Sequence, residues 1–107
     1  MKKTQKQQGD VTFTRATEIP KTSVKLKPDQ RGYVLAEGEA TGHAHTIEET
    51  DDAELYREGD RLLAMIHKTA TVTHQEHGPV TLEPGIWEIG RVREWDYLSK
   101  MERRILD

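Results

Sequence analysis

Apolar and polar residues alternate in short runs along most of this chain. In "DVTFTR", residues 10–15, Val11, Phe13 and Arg15 fall on one face and Thr12 and Thr14 on the other, the period-two pattern of a strand. Between Pro20 and Pro28, Val24 and Leu26 alternate with lysines, which predicts an edge strand, because proline and lysine blunt an exposed edge. "PDQRG", 28–32, is a turn by composition, and "YVLAEGEA", 33–40, begins a second extended run. "ETDDAE", 49–54, reads as an acidic loop and "EGD", 58–60, as a turn. In "RLLAMIHKTATVTH" a helix stays open for 61–67, but the threonines from 69 to 73 favour one long bent strand or two strands. "HGP", 77–79, breaks the chain; "VTL" is a short strand, "EPG", 83–85, a turn, and "IWEIGRVREWD" a further strand. Tyr97, Met101 and Ile105 stand four apart, the spacing of one face of a short C-terminal helix.

Roughly six to eight short strands separated by turns imply an all-β fold, a small antiparallel β-barrel or sandwich. The length of 107 residues suits one domain, expected over 9–107, behind a polar, basic segment 1–8 expected to be disordered. The hydrophobic fraction of 34% is lean, a shortfall that self-association or a bound metal would offset, so a homo-oligomer is expected. Sixteen Lys and Arg against 19 Asp and Glu argue against generic binding to a phosphate backbone. With no cysteine, disulfides and thiolate metal sites are excluded. No apolar run approaches the ~18 residues of a membrane span. No apolar stretch follows the basic first residues, so the expectation is a cytoplasmic protein without membrane contact.

The candidate chemistry lies in histidine. Four of the five histidines form two tight pairs, His43 with His45 and His74 with His77. On an extended chain His43 and His45 share one face, about 7 Å apart. His74 ends a strand, and His77, in the turn closed by Gly78 and Pro79, is able to fold back toward it. Imidazole nitrogens suit Zn, Fe, Ni and Cu and disfavour a pure Ca or Mg site. The expected ligands are therefore His43, His45, His74 and His77, and the expected cofactor a divalent transition metal such as Zn, Fe, Ni or Mn. Glu48, Glu49 and Glu76 are near enough in sequence to add a carboxylate, with Glu49 and Glu76 as candidate bases. Gly38 and Gly42 flank the first pair and suit either a crowded pocket or a barrel corner.

Plainer readings compete. Histidines on exposed strands are often incidental, and His67, between Ile66 and Lys68, reads as structural or surface. A metal-free acid–base pair of the two-histidine phosphoesterase kind needs His-x-Ser/Thr twice, and the hydroxyl is missing after both His43 and His74. Trp87 and Trp95 share a strand face with Ile89, Arg91 and Arg93. This face is either core emerging into solvent or a surface where a base of a single-stranded nucleic acid stacks on Trp95 beside the arginines, which the acidic balance disfavours.

His43, His45 and Glu49 are similar to the first metal motif of cupins, a family of small β-barrels, which implies a cupin-like barrel as one form of the fold. "EPGIWEI" supplies that family's Pro-Gly turn but no histidine behind it. More of the chain, "VLAEGEATGHAHTI", "THQEHGPVTLEPGIWEIGRVREWD" and the opening "GDVTFTRATEIP", resembles a family of small proteins encoded by bacteriophages and prophages and found in bacterial genomes. The chain departs from that pattern at Val80, Trp87, Val92 and Trp95, mostly by apolar or aromatic exchange. The resemblance implies that the two histidine boxes belong together and that the C-terminal residues are part of the domain. It implies no particular activity. A phage accessory or protein-interaction module, with histidines hydrogen-bonded inside a polar interface, is the competing class.

Overall fold

A computed structural model describes residues 5–38 and 42–92. The alternating runs become ten strands: β1 (Gln5–Gln8), β2 (Val11–Ala16), β3 (Val24–Leu26), β4 (Tyr33–Glu37), β5 (Ala44–Ile47), β6 (Ala53–Glu58), β7 (Arg61–Ile66), β8 (Ala70–Thr73), β9 (Val80–Leu82) and β10 (Gly85–Arg91). They form two antiparallel sheets, β1-β2-β10-β7-β6-β3 and β4-β5-β8-β9. The fold is a sandwich rather than a closed barrel, so of the two expected architectures the barrel, and with it the cupin-like form, is set aside. No helix among the described residues is long and apolar enough to cross a membrane.

Each sheet turns one set of alternate residues inward. Val11 and Phe13 of β2, Trp87 and Ile89 of β10, Ala64 and Ile66 of β7, and Ala53 and Leu55 of β6 meet Tyr33, Leu35, Ile47, Ala70, Val72 and Leu82 of the smaller sheet in one apolar cluster. Trp87 is fully buried, with its indole N–H donating to the carbonyl of Glu83 at 2.9 Å and the Arg15 guanidinium 4.3 Å from its ring centre. It therefore belongs to the core and is not available for base stacking. Trp95, Arg93 and the expected C-terminal helix lie outside the described residues. β3 is an edge strand as expected, and Val24 is exposed there.

Two strands escaped the sequence pattern. Gln5–Gln8, placed in a disordered tail by composition, is instead β1, paired with β2 from Gln5↔Thr14 to Gln8↔Val11. Its polar sequence fits an edge position, where backbone pairing rather than side-chain burial holds the strand. Residues 1–4 lie outside the described residues. Ala53–Glu58, whose first two residues were assigned to an acidic loop, is β6, hairpinned to β7 through Gly59 and Asp60. Only its alternate residues Ala53 and Leu55 are buried, so Glu54 between them and the charges of Arg57 and Glu58 after them hid the strand. The turns at Gly9–Asp10 and Gly59–Asp60 both place glycine first, at φ +59° and +56°. That is what a two-residue type II′ hairpin demands.

Candidate functional site

The register of the smaller sheet makes the two histidine pairs meet. β5 pairs with β8 at Thr46↔Thr73 and Ile47↔Val72. Carried one residue further, that register sets His45 opposite His74, as cross-strand neighbours on one face. On its other side β5 pairs with β4, whose ladder shifts by one residue between Val34 and Ala36, beside His45. Such bulges re-aim side chains next to functional sites. The backbone N–H of Gly38 donates to the carbonyl of His43 at 2.7 Å, tying the end of β4 to the first pair.

All four rings face one cavity of about 520 Å3, lined by Gly9, Asp10, Gly38, His43, His45, His74, Glu76 and His77. Ring centres lie 4.4 Å apart for His45–His74, 4.7 Å for His74–His77, 5.7 Å for His43–His74 and 6.3 Å for His45–His77. The His45 and His77 planes are inclined by only 11° and the His45 and His74 planes by 38°. An imidazole lone pair lies in the ring plane, so rings stacked in this way do not point at a common centre. Accordingly, among the described residues no group of three or more His, Asp or Glu is set out as a ready metal cage.

The surroundings of His45 are the most informative. This ring is buried, with its Nδ1 2.8 Å from Oε1 of Gln8. The Gln8 amide nitrogen donates to the carbonyls of Val72 at 2.9 Å and Gly78 at 2.8 Å. Two carbonyl oxygens accept only from the NH2 end, which leaves the amide oxygen to face His45. Nδ1 of His45 must then carry the proton and donate. Nε2 keeps its lone pair, 3.8 Å from Oδ1 of Asp10. Metal-ligating histidines are held in the same way, by a hydrogen bond on the other ring nitrogen.

His74 is fixed the opposite way. Its Nδ1 accepts the backbone N–H of Glu76 at 3.0 Å and that of His77 at 3.4 Å. A neutral imidazole that accepts at Nδ1 carries its proton at Nε2. Burial, reinforced by neighbouring His74, pushes the His45 pKa down from 6.5 to about 4. Burial first, then His77 and His43, lowers that of His74. Both rings are neutral at pH 7, so the approach of Asp10 to His45 is not an ion pair.

Two glycines make room for the rings. A Cβ on Gly9 would lie 2.6 Å from Nε2 of His77, and one on Gly38 would lie 2.9 Å from Cβ of His43 and 3.2 Å from Nε2 of His74. Gly38 thus serves the crowded pocket, whereas Gly42, at φ +82° with open space around it, serves the turn.

Of the expected carboxylates, Glu76 reaches the site, with Oε1 3.5 Å from Nδ1 of His43. Glu49 does not line the cavity; its Oε2 accepts the backbone N–H of Thr71 at 2.8 Å. Glu48 lines a separate polar recess of about 510 Å3 with Asp29, Arg31, Thr46 and Thr73. Thr46 and Thr73 alternate with His45 and His74, so that recess opens on the other side of these strands and holds none of the four imidazoles. His67 stands apart as well, pairing with Glu54 at 2.6 Å.

Gln8 and Asp10 were missed by sequence reasoning. Both sit at the tip of the β1–β2 hairpin, which forms the remaining wall of the cavity. The signal available was "QGDV", a two-residue turn with glycine first. No curated protein and no solved structure matches the chain. The model of one family, described as a domain of unknown function (DUF8820), matches residues 7–92, which takes in both histidine pairs together with Gln8 and Asp10, and the chain belongs to that family.

Proposed function

We propose that this protein binds one divalent transition metal ion, Zn, Fe, Ni or Mn, among His43, His45, His74 and His77. The observation that carries the reading is the spacing of the four rings. A tetrahedral ion about 2.0–2.1 Å from each nitrogen sets imidazole centres roughly 5 Å apart. The measured spacings, 4.4 to 6.3 Å, bracket that value. Uptake therefore asks for rotation of rings that are now stacked, His45 on His77 above all. Neutral imidazoles are the form that binds metal, and low pKa values keep His45 and His74 in it. Asp10 and Glu76 at the rim are available as an added ligand or as a base toward a metal-bound water, whose pKa the ion would lower. The resemblance of the histidine boxes extends the proposal to a phage- or prophage-type protein acting in the host cytoplasm.

One observation favours the competing reading, an interaction module with structural histidines. Nδ1 of His74 already closes the 74–77 turn, and the Gln8 bridge to His45 ties β1 to β8 without a metal. Elemental analysis separates the two. Protein stripped by a chelator, re-exposed to zinc and desalted should carry one zinc per chain, lost on His45→Gln and on a combined His43→Ala, His77→Ala change. No uptake by the folded wild-type protein refutes the metal reading and leaves the module.

A further inference from the structure

We propose that the polar recess on the outer face of the smaller sheet is a second binding site, for a neutral polyhydroxylated ligand such as a sugar. It stands apart from the metal reading, because the recess and the histidine cavity open on opposite sides of β5 and β8. One wall is held rigidly. The Asp29 N–H donates to the Gly32 carbonyl at 2.9 Å, and the Gly32 N–H to that of Asp29 at 3.1 Å. The Asp29 carboxylate also accepts the Arg31 backbone N–H at 2.7 Å and its guanidinium at 3.0 Å. Gly32, at φ +112°, lets this turn press against β5, since a Cβ there would collide with the Ile47 carbonyl oxygen. On the far side the Gln75 amide oxygen accepts the N–H of Ala44 at 2.9 Å, which fixes it to the start of β5. The floor points to a ligand. Thr46 is only 7% exposed, yet its hydroxyl has no partner among the described residues; Thr73 donates instead to the Thr46 carbonyl, at 3.3 Å. Among the described residues only Ser23 Oγ is wholly enclosed and unpartnered, so the Thr46 hydroxyl keeps access to the recess it lines. Nearly buried polar groups bond to whatever fills the space beside them.

The groups left unspent set the ligand class. The Glu48 carboxylate, without a partner among the described residues, accepts. Nε and Nη1 of Arg31 donate, because its ion pairs with Asp29 and Glu37 run through Nη2. The Thr46 hydroxyl does both. Adjacent hydroxyls of one ligand match such a mixture, since each is donor and acceptor at once. Charge narrows the choice. Two carboxylates line the recess, Asp29 and Glu48, against one guanidinium, and Glu37 stands behind Arg31, so an anion is repelled. Arg31 in the wall opposes a cation. Pro28 is the one apolar side chain of the lining, so an apolar ligand gains little. The volume of about 510 Å3 lies within the range of roughly 300–1,000 Å3 typical of small-molecule sites.

The full chain, treated with a chelator so that no metal contributes, is titrated with glucose, galactose, mannose and N-acetylglucosamine up to roughly 50 mM and followed by 1H–15N correlation spectra. At least one sugar should give saturable shifts at the amides of Thr46, Glu48 and Thr73. Glu48→Gln should weaken that sugar about tenfold or more, the order expected for a lost hydrogen bond to a charged group. Thr46→Val should weaken it about threefold or more. Glu48 is exposed, so its variant keeps the test decisive whatever Thr46→Val does to folding. No saturable shift from any of the four sugars overturns the proposal, as do shifts at the His45 and His74 amides instead. Unchanged affinity in Glu48→Gln overturns it too. Arginine amide moving the Thr46 and Glu48 amides where no sugar does makes the recess a cation site and overturns it as well.

Discussion

Acidification should destabilise the metal-free fold through His45, and the size of the effect follows from its burial. The imidazole titrates at about 4 in the folded chain and near 6.5 when exposed. Between these values the unfolded chain binds more protons, so stability is present above pH 6.5 and drains away as pH falls toward 4. At pH 4.5 the loss from this one group is about 2.5 kcal/mol relative to pH 7, nearing 3.4 kcal/mol at still lower pH. His74, lowered in the same direction, adds to it. Glu54, held at about 2 mainly by Lys25 and His67, begins to lose its contribution as pH falls to its unfolded value near 4.5, but it does so in wild type and variant alike and cancels in their difference. The assay is urea denaturation of chelator-treated protein at pH 7, 5.5 and 4.5, for wild type and for His45→Gln. The variant starts less stable, so the readout is the slope with pH. Wild type should lose about 2.5 kcal/mol more than the variant from pH 7 to 4.5. Parallel curves would show that His45 titrates normally and would refute both its depressed pKa and the burial argument beneath it.

Other substitutions test the frame of the site. Gln8→Leu strands the buried carbonyl of Val72 and the His45 Nδ1–H and frees the more exposed carbonyl of Gly78, and should cost about 2 kcal/mol or more, at about 1–3 for each buried unsatisfied group. Denaturant melts check this, and a loss under about 1 kcal/mol would deny the amide its bridging role. Where metal binds, Gln8→Leu should also weaken it about 10–100-fold, measured by competition with a chromophoric chelator. Gly9→Ala forces a side chain into a left-handed backbone and into the His77 ring; a loss of about 1–3 kcal/mol is expected, with a shifted His77 resonance by NMR. Phe13→Ala, in the sealed centre of the sandwich, should cost about 3–5 kcal/mol in the same melts.

The strands with clean alternation were legible. Val11 and Phe13 of β2 and Trp87 and Ile89 of β10 turned inward as their spacing implied. β6 was not legible, because it buries only Ala53 and Leu55, with Glu54 between them and Arg57 and Glu58 behind, and β1 was not, because an edge strand needs little apolar surface. The histidine pairs could be read because their spacing is local. Their meeting was expected from the shared chemistry of the pairs and from the resemblance, but its geometry was not legible, since it depends on the β5–β8 register, which no short motif encodes. Gln8 was hidden for a third reason. Its role comes from one amide bridging β1, β8 and the 74–79 turn, and in a "QKQQ" run nothing marks which glutamine is buried.

The most direct test of the account is a long-range 1H–15N correlation spectrum of the imidazoles, recorded on chelator-treated protein and again with one equivalent of zinc. Without zinc, His45 should show a protonated Nδ1 and an unprotonated Nε2, and His74 the reverse. With zinc, the His45 Nε2 resonance should move to its metal-bound position and saturate at one equivalent. A His45 Nε2 resonance that stays in place at every zinc concentration would contradict the claim that these imidazoles hold a metal ion.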